Sequence, residues 1–304
     1  MRKNVLISGG TGFVGKHLTQ LLIANDFSVS ILSRSKRENK EHIFYYTWDI
    51  EKQTIENEAI EKADFIIHLA GANIGEKRWT KQRKELILSS RELSAKLIYD
   101  SLEKNNKKLE AFVSASAVGI YGAINGEIIC TEAMPAADDF LGQTCQKWEE
   151  AANQFEKLGI RTVKIRTALV LGQDEGFLAK LIPIFKSKLG TPLGSGKQYM
   201  PWIHIDDLCN VYLEALKNNE MNGAYNATVL DDTTNETFSE ILAKLFGYKL
   251  WLPNVPSFLI QLALGEMAKI ILTGRRASNE KLKELGFKFQ YENLEIALRE
   301  CLEK

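Results

Sequence analysis

The sequence is short of several things, and each shortage removes a class of function. It has no surplus of either charge: 39 lysines and arginines stand against 39 aspartates and glutamates. Without a net field, nucleic acid and anionic membrane surfaces are not expected partners, and any anionic ligand must be met by local charge. Cysteine is scarce and scattered. Cys130, Cys145, Cys209 and Cys301 have no paired spacing, so no metal site and no disulfide framework is expected, and a reducing, cytoplasmic setting is. No apolar run is long and clean enough for a membrane span. The most apolar stretch, VPSFLIQLALGEMAKIIL, is interrupted by Gln261, Glu266 and Lys269 and reads as one amphipathic helix. The opening MRKNVLISGG passes at once into a strand and leaves no room for a secretory leader. Internal repeats and low-complexity tracts are absent as well, which sets repeat arrays and disordered segments aside.

What the chain does have is alternation. NVLIS, SVSILS, HIFYYTWDI, DFIIHLAG, AFVSASA and RTVKIRTALVLG read as strands. Helical patterns lie between several of them, over FVGKHLTQLLIAN, from about 80 to 105, and from Phe140 onward. That rhythm predicts a parallel sheet with helices on both faces. After Gly172 the rhythm changes: LGTPLGSGKQYMPWIHIDDL is turn-rich, DDLCNVYLEALK is a helix, GAYNAT a short strand, and the rest mainly helical. The expected division is a sheet domain from 1–172 plus 201–227 and a smaller lobe from 173–200 plus 228–304. A substrate cleft is expected between them.

The first strand ends in SGGTGFVGKHL, with Gly9, Gly12 and Gly15 spaced G-x-x-G-x-x-G at a strand-to-helix turn. Small residues there let backbone N–H groups approach a pyrophosphate at a helix N-terminus. Gly9, Gly10, Thr11, Gly12, Phe13 and Val14 are therefore the expected contacts of a dinucleotide. Gly10 to Lys16 also matches the start of a nucleoside-triphosphate loop, but that loop needs Ser or Thr next and has His17 instead. The second strand ends in Ser33 and Arg34, with no acid before Glu38 to grip a ribose. An acid would repel a 2′-phosphate, whereas Ser33 and Arg34 accept one, so NADP is expected and NADPH should be preferred over NADH. Asp49 ends the third strand, where it could accept from an adenine amino group or cap a turn. Leu69, Ala70 and Gly71 end the fourth, where small residues admit the cofactor backbone.

With the glycine loop, HLAG, SASAVGIYG and WIHIDDL in this order, almost the whole chain resembles the extended short-chain dehydrogenases/reductases. This is the NAD-dependent epimerase/dehydratase superfamily. LAGANIGEKRWT, SSRELS, KWEEAA and GTPLGSGKQYMPWIHIDDL narrow the resemblance to an atypical subgroup of epimerase-family proteins, some of which carry a cell-division-inhibitor label. The resemblance implies a Rossmann domain with a small C-terminal lobe, a small polar substrate, nucleotide sugars included, and an oxidoreductase or epimerase activity. It also implies a catalytic Ser or Thr at the fifth strand and a Tyr and Lys four residues apart on the next helix. The matching positions are Ala117, Leu141 and Cys145, and none of the nine tyrosines has a lysine four residues on. Ser116 and Tyr121 remain as replacement candidates. A cofactor-binding sensor that performs no turnover is the alternative. Leu141, Cys145, Trp148, Ala152 and Phe155 form an apolar stripe, so Cys145 reads as core rather than as a nucleophile.

Other polar residues have two readings each. Arg91 lies in the helix that lines the cofactor cleft in this family, where a phosphate or an internal ion pair would answer it. Lys77, Arg78 and Trp79 lie in the loop after HLAG; Gly194, Ser195, Gly196 and Lys197 form a flexible loop near the family's diphosphate position; Arg166, Arg275 and Arg276 are further cationic candidates. His204, beside Asp206 and Asp207, reads as strand-end packing next to a helix cap rather than as a catalytic base. The oligomeric state is left open, a homodimer included.

Overall fold

Val5, Leu6 and Ile7 are all fully buried in the middle of strand β1 (Asn4–Ser8). A strand apolar on both faces needs cover on both, which a parallel sheet between two helical layers provides. The computed structural model describes residues 2–122, 128–173 and 175–303 and has this arrangement. From β1 the chain runs through helix α1 (Phe13–Ala24) to β2 (Ser28–Ser33), β3 (Ile43–Asp49) and a short β4 (Thr54–Ile55). Helix α2 (Asn57–Glu61) leads to β5 (Phe65–His68), α3 (Lys81–Lys104) and β6 (Ala111–Ala117). A 3-10 turn over Val118–Tyr121, β7 (Ile129–Cys130), α4 (Phe140–Asn153) and β8 (Thr162–Thr167) follow.

Beyond β8 come β9 (Leu169–Leu171), α5 (Gly176–Lys186), β10 (Trp202–His204), α6 (Ile205–Lys217) and β11 (Gly223–Ala227). The main sheet has the order β11-β8-β6-β5-β1-β2-β3-β4, parallel throughout except for β4. Successive strands move outward one way from β1 to β3 and the other way from β5 to β11. The carboxyl ends of β1 and β5 therefore flank the point where the winding reverses, which is where such sheets hold ligands.

The C-terminal part packs helices α7 (Asn235–Leu245), α8 (Ser257–Leu264), α9 (Lys269–Leu272), α10 (Glu280–Glu284) and α11 (Leu294–Glu303). Its own core gathers Leu171, Phe185, Trp202, Phe238, Leu242 and Leu298. Two readings change here. RTVKIRTALVLG is not one strand: it breaks at Ala168, whose N–H bonds to Ala227, and β9 then leaves the main sheet to pair with β10. The apolar stretch 255–272 is not one helix either. Gly265 takes φ +61 and splits it into α8, a 3-10 turn and α9. Glycine tolerates that conformation, and a continuing helix does not. Among the described residues no helix is long and apolar enough to cross a membrane.

His68 ties the switch point together. It ends β5 opposite Ser8 of β1, fully buried, with Nδ1 2.6 Å from the Ser8 hydroxyl and Nε2 3.2 Å from that of Ser94 on α3. Burial, aided by the Arg91 charge, pushes its pKa down to about 4. The native protein therefore holds it neutral while the unfolded chain takes up a proton near the ordinary value of about 6.5. Its contribution is complete above pH 6.5 and is lost as pH falls towards 4, at about 1.4 kcal/mol per unit or roughly 3 kcal/mol in all. Urea unfolding at pH 7 and at pH 4.5 should show the parent losing about 2 kcal/mol more than His68→Gln. Equal losses would mean that this histidine is not held neutral.

Candidate functional site

The glycine loop is built by contact as much as by conformation. Gly9 takes φ +77, and a Cβ there would lie 3.0 Å from the backbone of Leu69 and Ala70. A Cβ on Gly15 would lie 2.5 Å from the Gly10 Cα, so helix and loop touch directly. Gly12 caps α1 without a side-chain hydrogen bond, and the first turn of α1 has no acidic residue. The N–H groups of Phe13 and Val14, next to Thr11 and Gly12, begin the helix and lack an intrahelical acceptor by position. Such a geometry and dipole suit an anion. The Phe13 ring is turned away from it and fills the space that a Cβ on Gly172 would take, 2.4 Å from its Cζ.

The other cofactor candidates lie along the same edge. Ser33 ends β2, buried, with its hydroxyl accepting from the Ser35 N–H at 3.3 Å, and Arg34 beside it is exposed. Asp49 ends β3, where its Oδ1 accepts from the N–H groups of Glu51 and Lys52, both at 3.0 Å. Those bonds hold its carboxyl below the usual range, and on this side it closes a turn. Leu69, Ala70 and Gly71 follow β5 against Gly9. Arg91, reaching across from α3, rests on Gly71, where a Cβ would be 3.0 Å from the Arg91 Cζ.

Arg91 is only 8% exposed. Its Nη1 donates to the carbonyls of Ala72 and Ile87 at 3.2 and 2.7 Å, its Cζ stacks 4.5 Å from the Trp148 ring, and its Nε has no partner. Burial lowers its pKa to about 10, and no carboxylate lies within ion-pair distance among the described residues. Among the described residues, then, no internal ion pair answers this charge.

The three positions that align with the catalytic triad do come together. A Cβ on Gly119 would lie 3.5 Å from the Cys145 Sγ and 3.9 Å from the Cβ atoms of both Ala117 and Leu141. They make an apolar surface at the end of β6. Burial pushes the Cys145 thiol up to about 12, with Glu149 adding to the shift, so this sulfur is no thiolate at neutral pH.

Ser116 and Tyr121, the replacement candidates, are drawn into a buried network. Ser116 donates to Glu149 at 2.7 Å, and Glu149 is held by Arg166 at 2.8 and 2.9 Å. Tyr121 donates to Asn226 at 2.7 Å and accepts from Arg166 at 3.0 Å. Burial pushes its phenol up to about 12 against the pull of Arg166. Both hydroxyls thus have partners within the interior. Arg166, a cationic candidate, is thus an internal partner.

Elsewhere the candidates serve the joint between domain and lobe. Trp79 is buried against Phe140, while Arg78 Nη2 donates to the Leu262 carbonyl at 3.1 Å and Lys77 is exposed. The Gly194–Lys197 loop is tied down rather than free: Gly194 N–H bonds to Val255, Gly196 N–H to Leu193, and Gln198 reaches Leu193 and Ile271. His204 is itself the cap of α6, its Nδ1 accepting from the Asp206 N–H, while Asp207 accepts from the N–H groups of Gln290 and Tyr291. The expected acid cap is thus a histidine cap. Arg276 pairs with Asp232 at 2.6 Å, and Arg275 Nη1 holds the Val118 carbonyl at 2.8 Å. Sequence reasoning passed over Glu149, although a carboxylate continuing the apolar stripe of α4 signals a buried partner. It also passed over His68 and Asn226, which carry no local signal.

Comparison with known proteins agrees with this geometry. The model of the NAD dependent epimerase/dehydratase family matches residues 5–228, and a domain of unknown function (DUF1731) matches residues 255–301. The epimerase family protein YfhF of Bacillus subtilis is 35% identical over 300 residues, covering 98% of each chain. An Arabidopsis thaliana relative, the chloroplastic SDR39U1 homolog, is 35% identical over 98% of this chain and 86% of its own. The crystal structure of the human epimerase family protein SDR39U1 with NADPH superimposes with a TM-score of 0.88 at 29% identity, covering 99% of both chains. UDP-glucose 4-epimerase of Thermotoga maritima shares the fold, with a TM-score of 0.75 at 20% identity. This chain belongs to the NAD-dependent epimerase/dehydratase family, on a Rossmann-type sheet with a helical C-terminal region.

Proposed function

We propose that the protein is an NADP(H)-dependent oxidoreductase or epimerase acting on a small polar substrate in the cleft between sheet and lobe. The observation that carries the cofactor choice is the end of β2: Ser33 and the exposed Arg34 stand where NAD-binding sheets place a ribose-gripping acid. The human relative crystallised with NADPH supports the same choice. Backbone N–H groups from Gly10 to Val14 would hold the pyrophosphate, and Leu69 to Gly71 would admit the cofactor backbone. The fit rests on the uncapped α1 and on glycine contacts too close for any Cβ. When bound, the cofactor supplies hydride transfer; the protein orients the substrate and keeps water out. A second reading, binding without turnover, is favoured by one observation: Ala117, Leu141 and Cys145 meet as an apolar surface with no titratable group near neutrality.

Three outcomes are expected. Calorimetric titration should give NADPH an affinity at least tenfold above that of NADH, about 1.4 kcal/mol, and Arg34→Ala should remove most of the difference. Equal affinities in the parent protein would refute the cofactor assignment. Cys145→Ala should leave NADPH affinity and any turnover unchanged while lowering stability by about 1 kcal/mol, read by denaturant unfolding. Lost turnover in a folded variant would make the sulfur catalytic. Finally, Ala117→Ser, Leu141→Tyr and Cys145→Lys together should create NADPH-dependent reduction of simple carbonyls, since positioned acid catalysis is worth about 10²–10⁴ in rate. Efficient reduction by the parent would sink the sensor reading. A folded, NADPH-binding triple variant with no gain would show that these positions do not face the reacting ring.

A further inference from the structure

We propose that the surface left by the missing triad is an oxyanion subsite, in which Arg91 and Arg275 grip the carboxylate or phosphate of a small, hydroxyl-poor substrate. The proposal rests on the dinucleotide reading, because it sets that anion beside the bound cofactor.

Three arginines are almost completely buried: Arg91, Arg166 and Arg275, at 8, 6 and 7% exposure. Arg166 is answered by a bidentate carboxylate, Glu149. Arg91 meets the carbonyl oxygens of Ala72 and Ile87 and the face of Trp148, and Arg275 meets the Val118 carbonyl with the Asp139 carboxylate acting on it from farther off; among the described residues neither has a partner at salt-bridge distance. Carbonyl dipoles satisfy hydrogen bonds but do not balance a buried charge, and removing a guanidinium from water without a counter-ion is costly. The Nε of Arg91 lacks even a dipole.

These two charges flank one spot. Arg91 lies between Gly71, at the cofactor edge, and Trp148, one turn beyond Cys145 on α4. Arg275 comes from the lobe and holds Val118, the neighbour of Gly119, whose open side faces Cys145, Ala117 and Leu141. Both guanidiniums oppose the rise in the Cys145 pKa, so the fields of both reach that sulfur. Arg275 is also fixed before any ligand arrives. On one side of it, a Cβ on Gly274 would lie 2.0 Å from the Tyr199 carbonyl; on the other, Arg276 is paired with Asp232. A preset guanidinium fork suits carboxylate and phosphate equally, and pre-ordering reduces the entropy lost on binding.

The floor between the two charges sets the rest of the ligand. Alanine, leucine and a protonated cysteine offer no partner to a sugar hydroxyl, so a polyol would leave buried groups unsatisfied. An oxyanion attached to a small apolar body meets charge at its ends and carbon beneath.

The test uses the full-length protein, with and without NADPH, titrated calorimetrically with 2-oxobutyrate, with its neutral amide, and with inorganic phosphate. NADPH affinity is measured in parallel. The carboxylate or phosphate should bind at least tenfold more tightly than the amide, in a salt-sensitive way. Arg275→Gln should abolish that preference while leaving NADPH affinity at the parental value, and Arg275→Lys should restore part of it. Equal binding of acid and amide by the parent overturns the proposal, whatever the variants do. So does parental anion binding in folded Arg275→Gln, which would make Arg275 a clamp on Val118 only. Anion discrimination in protein that fails to bind NADPH would overturn the cofactor reading and leave the subsite standing.

Discussion

Arg166 on β8 and Glu149 on α4 face each other in the interior at 2.8 and 2.9 Å, and much of the site's architecture hangs from them. The same carboxylate accepts from Ser116 on β6, and the same guanidinium donates to Tyr121 and to the Glu132 carbonyl. Tyr121 passes the chain of bonds to Asn226 on β11, whose amide donates to Ser278 at 3.0 Å in the C-terminal lobe. One network thus joins β6, β8 and β11, helix α4 and the C-terminal lobe. Losing either member of such a pair leaves an uncompensated buried charge, at about 3–5 kcal/mol. The network also consumes the polar groups nearest the site. The hydroxyls of Ser116 and Tyr121 help hold the sheet edge together.

That constraint explains the shape of α4. Glu149 must point inward to meet Arg166, so Cys145 and Leu141, one and two turns earlier, are carried to the same face. They meet the 3-10 turn at Gly119, and Phe155 further along stacks on Phe112 at 3.6 Å. A polar pair at 141 and 145 is not needed to orient the helix, because the ion pair and the apolar stripe already do so. The helix keeps its place in the family fold through this packing.

The strands of the main sheet, the glycine turn and the long helix starting at Thr80 were legible in the sequence because each depends on local pattern. They are runs of buried β-branched residues, glycines where no Cβ fits, and a threonine whose hydroxyl accepts from the Arg83 N–H. The meeting of Ala117, Leu141 and Cys145 was legible only through the family resemblance. What escaped depends on partners far apart in the chain. Asp207 clamps Gln290 and Tyr291, Asn226 bridges to Ser278, and His68 reaches Ser8 and Ser94. The break at Gly265 escaped because hydropathy carries no record of a positive φ. Arg91 was visible as a charge in a helix, but that no carboxylate meets it needed coordinates.

The chemistry open to this end of the sheet follows from which groups can exchange a proton. Arg91, even lowered to about 10, stays charged at pH 7 by roughly a thousand to one. Cys145 and Tyr121, each raised to about 12, stay protonated by a wider margin. His68, lowered to about 4, stays neutral and is walled in behind Ser8 and Ser94. None of these four groups changes charge near neutrality, so fixed charge and shape dominate this end of β6. On the proposed reading, such a setting favours a reaction whose developing negative charge a nearby guanidinium stabilises over one that needs a phenol to give up and recover a proton. The apolar meeting of Ala117, Leu141 and Cys145 and the buried Arg91 beside it share one electrostatic setting, in which low polarity raises the thiol and lowers the guanidinium.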